Sequence, residues 1–239
     1  MNTAYDKQRG FTLVEIAIVL VIIGLLLGGI LKGQELINSA RVRNLADQSS
    51  GVQAAYYGFI DRFRQVPGDW SAAAAQTAIG QTINGGGNGN GQLDEGSWAE
   101  ASAMWEQLSK AGFIQGAYAG NATTAALYTA NANVAPVNAF NGELLLAFHK
   151  DFCGDNSCAA PASARLSLII GNNIPVNIAR ELDVKVDDGI AGSGVLRLNQ
   201  QAGPDFNAVS KPTATNCMDA SGNWDITNNA QQCNLSFLY

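Results

Sequence analysis

The sequence predicts an α+β fold, a long N-terminal α-helix packed on an antiparallel β-sheet of a globular domain. Three observations predict it. Residues Ile16 to Leu31 form an apolar run without a single charge. Apolar residues then recur at helical spacing, and no proline interrupts them before Pro67. Beyond that proline, short apolar runs alternate with glycine-rich and polar stretches, the pattern of short strands joined by loops.

Met1 to Gly10 carries Lys7 and Arg9 and lacks the apolar centre that a secretory signal places before its cleavage site. Here the apolar run follows the basic leader. From Phe11 to Leu31, a helix rising about 1.5 Å per residue reaches roughly 31 Å, close to the roughly 30 Å hydrocarbon thickness of a bilayer. The segment is long enough to span. Its uncharged part alone reaches only roughly 24 Å, so a full span draws Glu15 toward the hydrocarbon, where a carboxylate costs about 2.5–3.5 kcal/mol. Gly24 with Gly28, and Gly29 with Gly33, form two small-residue spacings that let helices approach closely in lipid, or are ordinary glycine tolerance in such a helix.

Past Lys32, the residues Ile37, Leu45, Val52, Tyr56, Phe59, Ile60 and Phe63 recur mainly at intervals of three, four or seven, an amphipathic helical stripe. Pro67-Gly68-Asp69 reads as stop and turn. One helix from about Phe11 to Gln65 would be roughly 80 Å long. The chain thus divides into a leader at 1–10, a membrane helix at 11–31, its amphipathic continuation at 32–65 and a globular region at 66–239.

That globular region, roughly 170 residues, suffices for one domain. Charged residues are 14% of the chain and glycines number 26, against about 25% charged in typical domains, so loops and a neutral Ala/Asn/Gly-rich exterior are expected. The formal net charge of −6 argues against a nucleic-acid grip spread over the domain. Cys153, Cys158, Cys217 and Cys233 all follow the apolar helix, where an oxidising compartment favours disulfides. Four cysteines allow three connectivities, and proximity favours Cys153–Cys158 with Cys217–Cys233. Zinc is the rival, but only the first two cysteines are close in sequence and the chain has a single histidine.

Trp98 to Ala111 reads as a helix with Trp98, Ala101, Trp105 and Leu108 on one stripe and Gly112 as its stop. Leu144 to Phe148 and Arg165 to Ile170 read as buried strands. Ile174 to Asp183 reads as a helix begun near Pro175. Val195 to Leu198 and Leu235 to Tyr239 read as further strands, the last alternating around Ser236. The sheet is expected to lie against the amphipathic half of the long helix.

Lys7-Gln8-Arg9-Gly10, Phe11-Thr12-Leu13-Val14-Glu15 and the apolar run that follows resemble the class III signal of type IV pilins and type II secretion pseudopilins. The resemblance implies cleavage between Gly10 and Phe11 by a prepilin peptidase and N-methylation of Phe11. It implies a helix that first anchors the monomer in the bacterial inner membrane and then packs in the core of a filament. Cleavage creates an α-amino group, largely cationic at neutral pH, that an incoming subunit can offer to Glu15. Opposite charges about 4 Å apart attract by about 4 kcal/mol at an effective dielectric near 20, comparable with the insertion cost of the acid. Many pilins kink this helix with a proline where the present chain has Lys32. Arg64-Gln65-Val66-Pro67-Gly68-Asp69, Gly89-Asn90-Gly91, Trp105-Glu106-Gln107-Leu108 and Ala111-Gly112-Phe113-Ile114 extend the resemblance to a group of bacterial prepilin-type proteins. Asp183-Val184-Lys185-Val186-Asp187-Asp188-Gly189 and Gly194-Val195-Leu196-Arg197 do so too.

Candidate ligand sites lie in two loops. Asn88, Asn90, Gln92 and Asp94, alternating with Gly and Leu, invite a calcium reading, because hard cations want several oxygens from a tightly turning backbone. The loop departs from the EF-hand pattern, since Gly86 and Ser97 would occupy the first and twelfth positions, and a flexible glycine-rich turn is the other reading. Asp183, Asp187 and Asp188 offer a second acidic turn, read as a solvated loop or helix cap. His149, Asp151 and Asp155 are near in sequence but bring no nucleophile elbow. No phosphate-cradling Walker loop is present, so ATP would be hydrolysed by a partner. No enzymatic role is expected.

The expected function is structural, a filament subunit polymerised with copies of itself. Its partners are the prepilin peptidase, the inner-membrane assembly platform with its ATPase, and lipid before assembly. The filament would lie in the periplasm or on the cell surface. A type II pseudopilin or minor pilin is the alternative within the class. A membrane-anchored binding protein that does not polymerise is the alternative outside it.

Overall fold

The computed structural model describes residues 12–130, 133–159, 161–199, 206 and 214–239. The first helix, α1, runs unbroken over Leu13–Phe63. It stops where Arg64 takes a left-handed conformation with φ 56°, three residues before Pro67 forbids continuation. The chain divides into two compact units, Met1–Arg41 and Val42–Tyr239.

In the first unit, every large apolar side chain from Leu13 to Leu31 is exposed, as are Leu36 and Ile37. Ile37 thus belongs to no core, and the buried stripe begins later than its spacing suggested. In the second unit, Val42, Leu45, Ser49, Val52, Ala55, Tyr56 and Phe59 bury one face of α1, a face produced by steps of three and four residues. Ile60 and Phe63 pack at its margin. The Phe59 ring lies 4.7 Å from Phe63, 5.8 Å from Phe113 and 6.2 Å from Trp70, centroid to centroid.

Helices α2 (Ala72–Ile79), α3 (Trp98–Lys110) and α4 (Ala125–Ala130) follow. Ser97 caps α3 by accepting the Glu100 N–H, and Gly112, at φ 82°, turns the chain out of it. Trp105 Nε1 donates to Tyr128 Oη at 2.8 Å, and that hydroxyl donates to the Leu144 carbonyl at 2.6 Å. The two bonds tie α3 and α4 to the first strand and satisfy all three groups inside the core.

The strands β1 (Leu145–His149) and β2 (Arg165–Ile169) precede α5 (Val176–Val186), and β3 (Leu196–Leu198), α6 (Ala214–Cys217) and β4 (Leu235–Leu238) complete the order. They form one antiparallel sheet in the order β1-β2-β4-β3, with Leu145 opposite Ile169, Leu168 opposite Phe237, and Leu196 opposite Phe237. Every β4 residue is buried, so the alternation around Ser236 does not mark a wet face. Ser236 instead gives its hydroxyl to Asn199 Oδ1. Beyond β4, the Tyr239 hydroxyl donates to the Ser49 carbonyl at 3.0 Å and lies 3.0 Å from Ser49 Oγ. This joins the sheet to the amphipathic half of α1.

The structure adds α2, α4 and α6, for which the sequence predicts no element, and extends α5. Pro175 occupies the N-cap of α5, with ψ 141°, and the helix continues to Val186. The acidic turn therefore starts on the helix and not after it.

Candidate functional site

The head of α1 is a reciprocal cap. Thr12 N–H and Thr12 Oγ1 donate to Glu15 Oε2 at 2.8 and 2.9 Å, and Glu15 N–H returns a bond to Thr12 Oγ1 at 3.2 Å. Thr12-Leu13-Val14-Glu15 is thus a capping box, which satisfies orphan donors of the first turn. Within a single subunit Glu15 is exposed and held by its own N-cap. Gly10 and Phe11, the expected processing site, lie outside the described residues.

Behind the cap the helix surface from Leu13 to Leu31 is exposed. None of the helix's most apolar stretch is buried, and the helix is long and apolar enough to cross a membrane. A Cβ placed on Gly24, Gly28, Gly29 or Gly33 would meet nothing within 4 Å, so among the described residues nothing requires glycine there. The polar end of the run is marked by Lys32, paired with Glu35 at 2.6 Å on the exposed surface.

The Asn/Gly loop comes together around two acids. Asn88 Nδ2 and Asn90 Nδ2 donate to Asp94 at 2.7 and 2.6 Å, and Gln92 Nε2 at 3.3 Å. The Asn90 bond foremost holds the Asp94 carboxyl below its ordinary range. Asp69, buried, accepts the N–H groups of Gly89, Asn90 and Gly91. The three amides present N–H groups to Asp94, so a calcium ion at Asn88, Asn90, Gln92 and Asp94 requires them turned oxygen-inward.

Sequence reasoning missed the α3 side chains that hold this loop. Glu106, fully buried, accepts Asn84 N–H, Gly85 N–H and Asn84 Nδ2 at 2.7–2.9 Å. Gln107 accepts from Gly68 N–H and donates to the Trp70 and Gly85 carbonyls. Glu100 accepts the Asp94 N–H at 2.7 Å, and its carboxyl is pushed up chiefly by burial. Gly85 lies so close to the Gly120 carbonyl that a side chain there would collide with backbone. Acids and amides on an otherwise apolar helix face, set beside a glycine-rich loop, were the available signal.

Cys153 is bonded to Cys158 and Cys217 to Cys233. His149, the last residue of β1, is fully buried. Its Nδ1 accepts the Asp151 N–H at 3.1 Å, which leaves the ring proton on Nε2, 2.8 Å from Ser167 Oγ. Ser167 in turn donates to the Arg165 carbonyl. In this tautomer the imidazole donates its Nε2–H in a hydrogen bond to the serine oxygen, and its Nδ1 lone pair is already engaged by the Asp151 N–H. Asp155 is exposed in the Cys153–Cys158 loop, bound to Ser157 and Ala159, and Asp151 accepts from Phe206 N–H.

No curated protein and no solved structure matches the chain. Residues 5–31 match the family model described as the prokaryotic N-terminal methylation motif. That motif stands at the head of an apolar helix with an α+β domain behind it, an architecture consistent with a pilin-like fold.

Proposed function

We propose that this chain is a structural subunit of a type IV pilus-like filament. It is cut between Gly10 and Phe11 by a prepilin peptidase, methylated on Phe11, and polymerised through α1 by an inner-membrane platform and its ATPase. The observation that carries the reading is the methylation motif placed on a helix whose large apolar side chains from Leu13 to Leu31 are all exposed. Burying each such side chain is worth about 1.5–3 kcal/mol, so the surface calls for lipid first or copies of itself later. Both fit one helix. The incoming α-amino group replaces the Thr12 donors as the partner of Glu15, converting a local cap into a bond between subunits.

The unbroken course of α1, with Lys32 in place of a kinking proline, favours a pseudopilin or minor subunit as the second reading. Electron microscopy and mass spectrometry of sheared cell-surface material separate these outcomes. Long fibres composed mainly of this chain support a major subunit, and traces within fibres of another subunit support a minor one. A membrane-anchored protein that never polymerises leaves no filament signal. In co-expression with wild type, Glu15→Gln is expected to insert and be processed normally but to be depleted from filaments. Equal incorporation would remove Glu15 from the assembly mechanism.

A further inference from the structure

Three carboxylates converge where α5 ends. Oxygens of Asp183, Asp187 and Asp188 lie within 4.8 Å of one another. The Asp187 N–H closes the last turn on the Asp183 carbonyl at 2.7 Å, and the chain then swings through Gly189 at φ 80°. Asp188 is exposed, with Oδ1 accepting the Ile190 N–H at 2.8 Å and Oδ2 the Ser193 hydroxyl at 2.6 Å. Asp187 is half-buried, and its Oδ2 accepts the N–H groups of Val195 and Leu196 at the start of β3.

Asp183 is different. The residue is fully buried. Its Oδ2 accepts Trp224 Nε1 at 2.7 Å, while Oδ1 is buried without a hydrogen-bond partner. An unpartnered carboxylate oxygen in a protein interior is rare, because burial removes its water without replacement. Two further acids beside it, at the negative end of a helix dipole, make the arrangement more unfavourable still. Among the described residues, Lys32, Arg64, Lys150 and Lys185 pair with other acids, and no cation pairs with these three. The Gly189 N–H is near the Asp183 carboxyl but does not reach hydrogen-bond geometry with Oδ1.

We propose that Asp183, Asp187 and Asp188 form a binding site for a divalent cation of the calcium type at the C-terminal end of α5. The donors are all oxygens, with no nitrogen or sulfur ligand, which selects a hard ion. Their irregular setting on a turn suits the variable coordination of calcium better than the strict octahedron of magnesium. The ion gives Asp183 Oδ1 its missing partner and neutralises the like charges. It thereby couples three pieces: α5, the start of β3 through Asp187, and the Cys217–Cys233 loop through Trp224. The site is independent of the filament reading.

The test uses the full chain in detergent micelles, with thermal unfolding followed in millimolar calcium and in chelator. Calcium is expected to raise Tm by about 3–6 °C in the wild type. Asp188→Asn changes an exposed side chain and is expected to fold and to lose the rise. Asp183→Asn keeps an oxygen for Trp224 and is expected to lose it as well. Asp94→Asn, in the Asn/Gly loop, is expected to keep it. Terbium luminescence excited through tryptophan should appear in the wild type, be displaced by calcium, and vanish in Asp188→Asn. No Tm rise in the wild type overturns the proposal. So does a rise that survives in Asp188→Asn, or one that disappears in Asp94→Asn.

Discussion

His149 is held inside the core by bonds at both ring nitrogens. Its two ring nitrogens are engaged by the Asp151 N–H and by Ser167, and its ring meets Phe152 and Phe206 edge to face. Burial pushes its pKa down to about 3, from about 6.5 in an unfolded chain. Above about pH 6.5 both states are neutral there and the residue has no pH effect. As pH falls below that, the unfolded chain takes up a proton the fold refuses, so stability is lost until about pH 3. The loss attributable to His149 approaches about 1.4 kcal/mol per pH unit. Urea unfolding between pH 7 and 4 should therefore slope less steeply in His149→Gln than in the wild type. Glu15, by contrast, is exposed. Its position beside the apolar run was legible in the sequence, but its bond to Thr12 depends on a cap geometry that the Thr-x-x-Glu spacing permits and only the structure displays.

At the scale of elements, α1 has two different relations to burial along its length. Phe59 is 0% exposed and Leu26 is 60% exposed. Phe59→Ala should lower the unfolding free energy of the globular unit by about 3–5 kcal/mol, whereas Leu26→Ala should change it by less than about 0.5 kcal/mol. Denaturation in micelles, followed by tryptophan fluorescence, measures both. The sequence made α1, α3 and the four strands legible because each has a strong apolar period or a short apolar run between breakers. It hid α2, whose Ala-Ala-Ala-Ala stretch has little contrast between faces, although Ser71 and Gly80 bracket it. It also hid the work of Glu106 and Gln107, because a polar residue buried by long-range bonds looks like any exposed one until its partners are placed. The acidic turn was legible as three carboxylates, but the burial of Asp183 depends on Trp224, which is distant in sequence.

For the whole molecule, the buried apolar residues among the described ones all lie at Val42 or beyond. A chain beginning at Val42 is expected to stay soluble without detergent, to form both disulfides, and to unfold within a few degrees of the full chain. Calorimetry and thiol titration of that truncation check the expectation. Failure to fold would mean that residues before Val42 supply stability that their exposed side chains do not reveal.

The strand order has its own consequence for biogenesis. β4, the last strand in sequence, fills the interior slot between β2 and β3. Until Leu235–Leu238 has emerged, those two neighbours each present a raw edge capable of pairing with another chain. A translation product stalled short of this point would be prone to pair with other chains through those edges, the more so the longer it waits.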